Sequence, residues 1–195
     1  MTVFLDNKLN ALDTIYTAFA QNTKEYKKLQ ACRKGCAFCC SKAGCIDITT
    51  LEGWQIKKQI ERFSKDRLKS LSKAIKQDIQ KREKKKLNAC PFLMKNNACM
   101  IYNVRPFSCR RIYSTRICKK ENPPQVNRQV MAIANKILKD LQSLDDTGYS
   151  GHMSYVLHML NTPAFLNTYA NQKFNPHEIM IFGKSHSIII NKMML

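Results

Sequence analysis

Cys32, Cys36, Cys39 and Cys40 place four thiols within nine residues, and Cys90, Cys99 and Cys109 form a second run further along the chain. Core packing does not ask for that density of one residue type. Thiolate is the softest common protein ligand, so cysteine-only groups select zinc, copper(I) or iron–sulfur centres, with disulfide formation as the competing chemistry. The nine cysteines are an odd number, which counts against a closed disulfide framework. The stretch from Met1 is broken by Asp6 before any apolar core develops, so no secretory signal is expected there. A reducing, cytoplasmic location follows as the expectation, and there clustered cysteines bind metal more often than they pair.

Zinc asks for four ligands in a tetrahedron, commonly as two close pairs. Cys36 and Cys39 have that pair spacing, whereas Cys90, Cys99 and Cys109 are separated by eight and nine residues. A 4Fe–4S cluster is larger and accepts ligands spread more widely around it. Seven cysteines in the two runs exceed one mononuclear site. That tilts the reading toward an iron–sulfur or dinuclear centre and leaves zinc open. Arg105 and Arg110 flank Cys109. A multi-thiolate centre is net negative, so guanidinium groups nearby would offset charge and donate hydrogen bonds to sulfur. Cys45 and Cys118 stand outside the tight spacings and read as free thiols with no part in the site. His152, His158, His177 and His186 lie in the C-terminal third and read as core or surface side chains rather than ligands. His177 and Glu178 lack the second histidine of a zinc-protease helix, and the six glycines form no dinucleotide fingerprint or phosphate loop.

The elements that must position these residues read as mainly helical. Leu5, Leu9, Leu12, Ile15, Tyr16 and Phe19 share one face of a helix over about residues 5–29, which delivers the chain into the first cysteine group. Gly35 and Gly44 give the wrapping loop permissive backbone. Ile46 and Ile48 around Asp47 predict a very short strand. Thr49 and Glu52 have capping-box spacing and start a helix to about Phe63; Ser64 caps a successor striped by Leu68, Leu71, Ile75 and Ile79. Lys95, Asn96 and Asn97 between two apolar triplets predict a small hairpin, and Pro106 opens a short helix holding Phe107, Cys109 and Ile112. Asn122, Pro123 and Pro124 make the clearest break. It divides a cysteine-cluster metal-binding domain with a basic helical insert, residues 1–124, from a helical subdomain packed on it, residues 125–195.

In that second part Val126, Val130, Ile133, Ile137, Leu141 and Leu144 stripe a long helix ending near Gly148. Helices follow through Tyr155 to Leu160, from Thr162 and Pro163, and from Asn175 and Pro176 to Gly183, with Ile188 to Ile190 a strand or irregular chain. The expected class is mainly α: a compact helical domain with a loop-rich cysteine centre and a small hairpin.

The chain of 195 residues carries 33 Lys+Arg against 14 Asp+Glu, a net charge of +19. Residues 57–86 alone hold 13 basic and 4 acidic side chains. Such a field favours polyanionic partners, nucleic acid or anionic membrane surfaces, but a solvated outer face has the same composition. Phe63 is the one aromatic in that stretch able to stack on a base. No apolar run is long enough to span a bilayer, so no transmembrane segment is expected.

In order, Cys32-x3-Cys36-x2-Cys39-Cys40, Cys90-Pro91-Phe92-Leu93 and Cys99-x-Ile101-Tyr102-x-x-Arg105-Pro106-x-x-Cys109-Arg110 resemble the YkgJ-type cysteine-cluster family of zinc- or iron-chelating proteins, over roughly residues 28–113. The resemblance implies metal binding by Cys32, Cys36, Cys39, Cys40, Cys90, Cys99 and Cys109, without telling which are direct ligands. The family takes in the flagellin lysine N-methylases, which look like iron–sulfur, S-adenosylmethionine-dependent enzymes. That branch implies a protein lysine methyltransferase-like alternative with a protein substrate, although this chain is short for it. Cys32-x3-Cys36-Ala37-Phe38-Cys39 is also similar to the radical S-adenosylmethionine signature; here, however, the motif follows a helix, Cys40 is added, and no βα series follows. Three readings stand. The first is a protein whose iron–sulfur cluster or zinc serves storage, sensing or structure. The second is a methyl-transferring enzyme at an incompletely ligated cluster, and the third a nucleic-acid-binding module using residues 57–86 around a structural metal. Enzymatic activity is left open.

Overall fold

A computed structural model describes residues 2–33, 35–42, 46–174 and 181. The fold is mainly α, as expected. Helix α1 (Thr2–Asn22) buries Leu5, Leu12, Tyr16 and Phe19 along one face. It stops short of the expected 5–29 because the backbone at Thr23 leaves the helical region, and a separate single turn follows, α2 (Lys24–Lys27). The buried Thr23 hydroxyl instead donates back to the Phe19 carbonyl at 2.8 Å. Irregular chain with a turn at Gly35 leads on to α3 (Phe38–Lys42), which carries Cys39 and Cys40.

Strand β1 (Asp47–Thr49) pairs antiparallel with β2 (Ser150–His152), Asp47 opposite His152 and Thr49 opposite Ser150. All three β1 residues are buried, Asp47 included, so the alternation of a one-sided strand is lost. Helix α4 (Thr50–Ile60) starts with the expected capping box: the Thr49 hydroxyl accepts from the Glu52 N–H, and the Glu52 carboxylate accepts from the Thr49 N–H. Gly53 lets α4 lie close against α8 (Met153–Leu160), since a Cβ there would sit 2.7 Å from Val156 Cγ1 and 2.9 Å from Leu160 Cδ1. Helix α5 (Lys65–Glu83) follows Ser64, whose side chain makes no capping bond. It buries Leu71, Ile75 and also Asp78 toward α8; Arg82 folds in to pair with Asp78 at 2.8 Å, and the lysines of the helix line the outside.

The expected hairpin forms as a single antiparallel bridge, Leu93 to Cys99, with Asn97 in the left-handed region at φ 62°. Helix α6 (Phe107–Arg110) has Pro106 at its N-cap rather than its first turn, and Ile112 lies beyond its end. Helix α7 (Arg128–Leu144) is capped by the Asn127 side chain and packs along α1. Gly148 closes the turn after it, where a Cβ would meet the Asp145 carboxylate at 2.4 Å. Helix α9 (Pro163–Ala170) packs on α8, with Pro163 in its first turn. The helix expected over 175–183 and the tail segment 188–190 lie outside the described residues. One hydrophobic core runs from Leu5 of α1 through Ile56, Phe92 and Phe107 to Leu141 and Leu160. Among the described residues no helix is long and apolar enough to cross a membrane.

Candidate metal centre

The second cysteine run is fastened to the core by a buried carboxylate. Glu52 accepts from the Tyr16 hydroxyl at 2.6 Å, the Phe107 N–H at 2.7 Å and the Thr49 N–H at 2.8 Å. Burial pushes its carboxyl above the ordinary range, and the Phe107 and Tyr16 hydrogen bonds oppose that. The Ser108 hydroxyl donates to the Asp47 carbonyl of β1. Together these bonds hold α6, and with it Cys109. The Cys90 N–H reaches the Cys40 carbonyl at 2.7 Å, and the Met100 N–H reaches the Phe92 carbonyl at 3.0 Å over the fully buried Phe92 ring. Cys40, Cys90, Cys99 and Cys109 are thereby gathered. Burial pushes the Cys90 thiol up to about 12, and Cys40 and Cys99 add to the shift. The Cys109 thiol is pushed well up by burial, then by Cys90, Cys40 and Cys99.

The first run is held differently. Gly35, at φ 84°, turns the chain between Cys32 and Cys36. The Ala31 N–H donates to the Ser114 carbonyl at 2.7 Å, and the Ser114 N–H donates to Cys32 Sγ at 3.2 Å. Cys32 and Cys36 share a small cleft with Arg116 and Cys118. Burial pushes the Cys39 thiol up to about 12, with Cys118, Cys32, Cys40 and Cys36 raising it further. Cys118, which spacing alone leaves outside the site, thus lies with the first run. Cys45 falls outside the described residues.

Successive residues on a helix point about 100° apart. Cys39 and Cys40 on α3 accordingly face different ways, Cys39 toward the neighbourhood of Cys118 and Cys32 and Cys40 toward that of Cys90, Cys99 and Cys109, and Cys40 also lies within reach of Cys36. All eight described cysteines are free thiols. Among the described residues each neighbourhood offers soft sulfur donors and no histidine, a donor set that fits zinc or an iron–sulfur cluster. Among the described residues no three Cys, His, Asp or Glu side chains stand close enough to hold one ion as they are. Protonated thiols have no attraction that would draw them together, and metal binding must displace those protons.

Several sulfurs already receive main-chain donors: Cys32 from Ser114, Cys90 from Phe92 and Cys99 from Ile101. Each of these N–H groups favours the thiolate. The two arginines part company. Burial raises the Cys40, Cys99 and Cys109 thiols and the Arg105 charge opposes it, while its guanidinium lies 4.1 Å over the Tyr102 ring. Arg110 instead donates to the Arg105 carbonyl at 2.7 Å and the Asn103 carbonyl at 2.9 Å, and lies over Tyr16. It braces the loop before α6 and, among the described residues, donates to no sulfur. His152 is buried, accepts from the Ser154 N–H, and is driven down to about 3 by burial and then by Arg82. His158 is exposed, and His177 and His186 lie outside the described residues.

Missed in the sequence were Glu52 as more than a cap and Ser114 as the anchor of Cys32. The capping-box spacing pointed at Glu52, but no local signal marks Ser114.

No curated protein and no solved structure matches the chain. A family model does: the CxxCxxCC family, described as a "putative zinc- or iron-chelating domain", matches residues 31–132. Its description speaks of chelation and says nothing of methyl transfer or nucleic acid. The match takes in every cysteine of both neighbourhoods and covers just over half of the chain, which therefore belongs to the CxxCxxCC family of metal-chelating domains.

Proposed function

We propose that the chain is an iron–sulfur protein whose cluster is held by thiolates drawn from Cys32, Cys36, Cys39, Cys40, Cys90, Cys99 and Cys109. The observation that carries this reading is the number and spread of the thiols. Seven, drawn from residues 32–40 and 90–109, outnumber the four ligands of a single zinc ion. A cluster spreads its ligands over a wider cage than zinc does. When bound, such a cluster supplies electron transfer or an iron site for substrate. The chain's own residues supply the setting. Main-chain N–H groups of Ser114, Phe92 and Ile101 favour thiolate at Cys32, Cys90 and Cys99, and Arg105 offsets negative charge.

Anaerobic purification with iron, zinc and acid-labile sulfide analysis, together with a visible absorption spectrum, tests the proposal. A brown protein with iron and sulfide in comparable amounts is the expected result. A colourless protein with stoichiometric zinc overturns it.

A further inference from the structure

Cys118 sits on an exposed loop, where neither packing nor pairing accounts for it. Its neighbours Arg116, Ile117, Lys119 and Lys120 are all exposed, Ile117 at 60%. A free cysteine is ordinarily a buried small hydrophobe. Among the described residues the one hydrogen bond of its sulfur is a long one, donated to the Arg116 carbonyl at 3.8 Å.

The loop is nonetheless firmly built. The buried Ser114 hydroxyl donates to the Arg116 carbonyl at 2.6 Å and accepts from the N–H groups of Arg116 and Gln125. The Arg116 guanidinium clasps the Pro123 carbonyl at 3.1 and 3.2 Å, and Lys119 and Asn122 close the tip with paired main-chain bonds. The same Ser114 holds the other strand of the site through Ala31 and the Cys32 sulfur. One residue therefore sets the register between Cys32 and Cys118, and the cleft between them is lined by Cys32, Cys36 and Cys118.

We infer that Cys118 is a metal ligand, completing with Cys32, Cys36 and Cys39 a four-thiolate centre separate from the one held by Cys40, Cys90, Cys99 and Cys109. The inference rests on the proposed metal-binding function and adds to it an eighth ligand and a second centre. Four thiolates complete the protein shell of either a zinc ion or a 4Fe–4S cluster. The adjacent pair Cys39 and Cys40, facing apart on α3, serves one centre each. The metal-chelating match extends past Cys118, to residue 132.

Metal content per folded chain separates the possibilities, with far-UV circular dichroism confirming the fold of each variant. Cys118→Ser is expected to keep about half of the wild-type metal, Cys109→Ser the other half, and the double variant almost none. A metal-loaded wild type with an unchanged Cys118→Ser variant overturns the inference and leaves the metal-binding reading intact. Loss of all metal from each single variant alike overturns the separation into two centres. A wild type that binds no metal under anaerobic reconstitution overturns the functional reading, and this inference with it. Alkylation mapping of the wild type needs no variant to fold. Cys118 should be shielded in the loaded protein and labelled once the metal is chelated out. Equal labelling in both states sinks its assignment as a ligand.

Discussion

The two cysteine-bearing regions are attached to the molecule in opposite ways. Residues 90–111 are rooted in the core: Phe92 and Phe107 are fully buried, Ile101 nearly so, and the Glu52 carboxylate ties Phe107 to α1 and α4. Beyond Tyr113, which is buried in the core, residues 30–33, 35–39 and 114–125 are mainly tied to one another, through Ser114 and a few main-chain bonds, with Leu29 and Ile117 nearby left exposed at 67% and 60%. The first kind of attachment persists without metal, because burial and hydrogen bonds hold it. The second has little apolar burial, and such regions open locally at low free-energy cost. One half of the site is thus rooted in the core, and the other is held by hydrogen bonds nearer the surface.

The largest expected effect strikes the rooted half. Glu52→Ala strips the partner from the Tyr16 hydroxyl and the Phe107 and Thr49 N–H groups at once. Leaving buried donors without their acceptor costs about 1–3 kcal/mol each, so about 3–5 kcal/mol for the group of them. Urea unfolding of metal-free protein should show a loss of that size. A loss no greater than that of a Ser114 variant would erase the contrast between the two halves.

Next comes a pH effect confined to the core. Burial pushes Asp145 up to about 6, against hydrogen bonds from the Leu51 N–H and the Tyr169 hydroxyl. Asp47 is likewise raised by burial to about 6, opposed by Arg82 and Arg111. A carboxyl whose folded pKa lies above its unfolded value binds protons more tightly in the native state. Its stabilisation is complete below the ordinary carboxylate pKa and is lost as pH rises through about 6. For Asp145 the swing is on the order of 3 kcal/mol, taking about 1.4 kcal/mol per pKa unit. Unfolding free energies at pH 4 and pH 7 should therefore differ less in Asp145→Asn than in the wild type. An undiminished difference would place the pH dependence elsewhere.

What could be read from the sequence was what is local. Thr49 and Glu52 announce their helix because both halves of the capping box lie within one turn. Asn97 announces its turn because left-handed backbone selects few residues. The same Glu52 also meets Tyr16 and Phe107, 36 and 55 residues away, and no period or cap encodes that. Asp47 opposite His152 is invisible for the same reason: the strands are too short to carry a pattern, and the pairing spans the chain. Cys118 was set aside because close spacing defines a cysteine motif in sequence, whereas a loop anchored by Ser114 brings it back in space. The break at residues 122–124 marks a turn of that loop, and the core continues on both sides of it.

A smaller effect belongs to the loop half. Ser114→Ala leaves the Arg116 and Gln125 N–H groups without their acceptor, at a cost of about 1–3 kcal/mol. Much of that cost should be local. Hydrogen exchange is expected to quicken at residues 30–33, 35–39 and 114–125 and to stay unchanged at 90–111. Uniform acceleration across both regions would mean that the loops are as deeply coupled to the core as the second run is.

The smallest effect separates the two arginines beside Cys109. The Arg105 charge acts on the Cys40, Cys99 and Cys109 thiols from a half-exposed position, whereas Arg110 is spent on the carbonyls of Arg105 and Asn103. A single charge a few ångströms away in partly solvated surroundings is worth about 1 kcal/mol, or roughly fivefold in affinity. Arg105→Gln should therefore lose metal to EDTA roughly fivefold more readily, with little change in the midpoint of urea unfolding. Arg110→Gln should do the reverse, lowering the midpoint and leaving metal retention alone. Raising the salt to about 1 M shortens the screening length to about 3 Å and should shrink the Arg105 effect while sparing that of Arg110. A metal defect in the Arg110 variant, or salt-insensitivity in the Arg105 variant, would reverse their roles: Arg110 would then be the arginine that neutralises the thiolates, and Arg105 the brace of the loop.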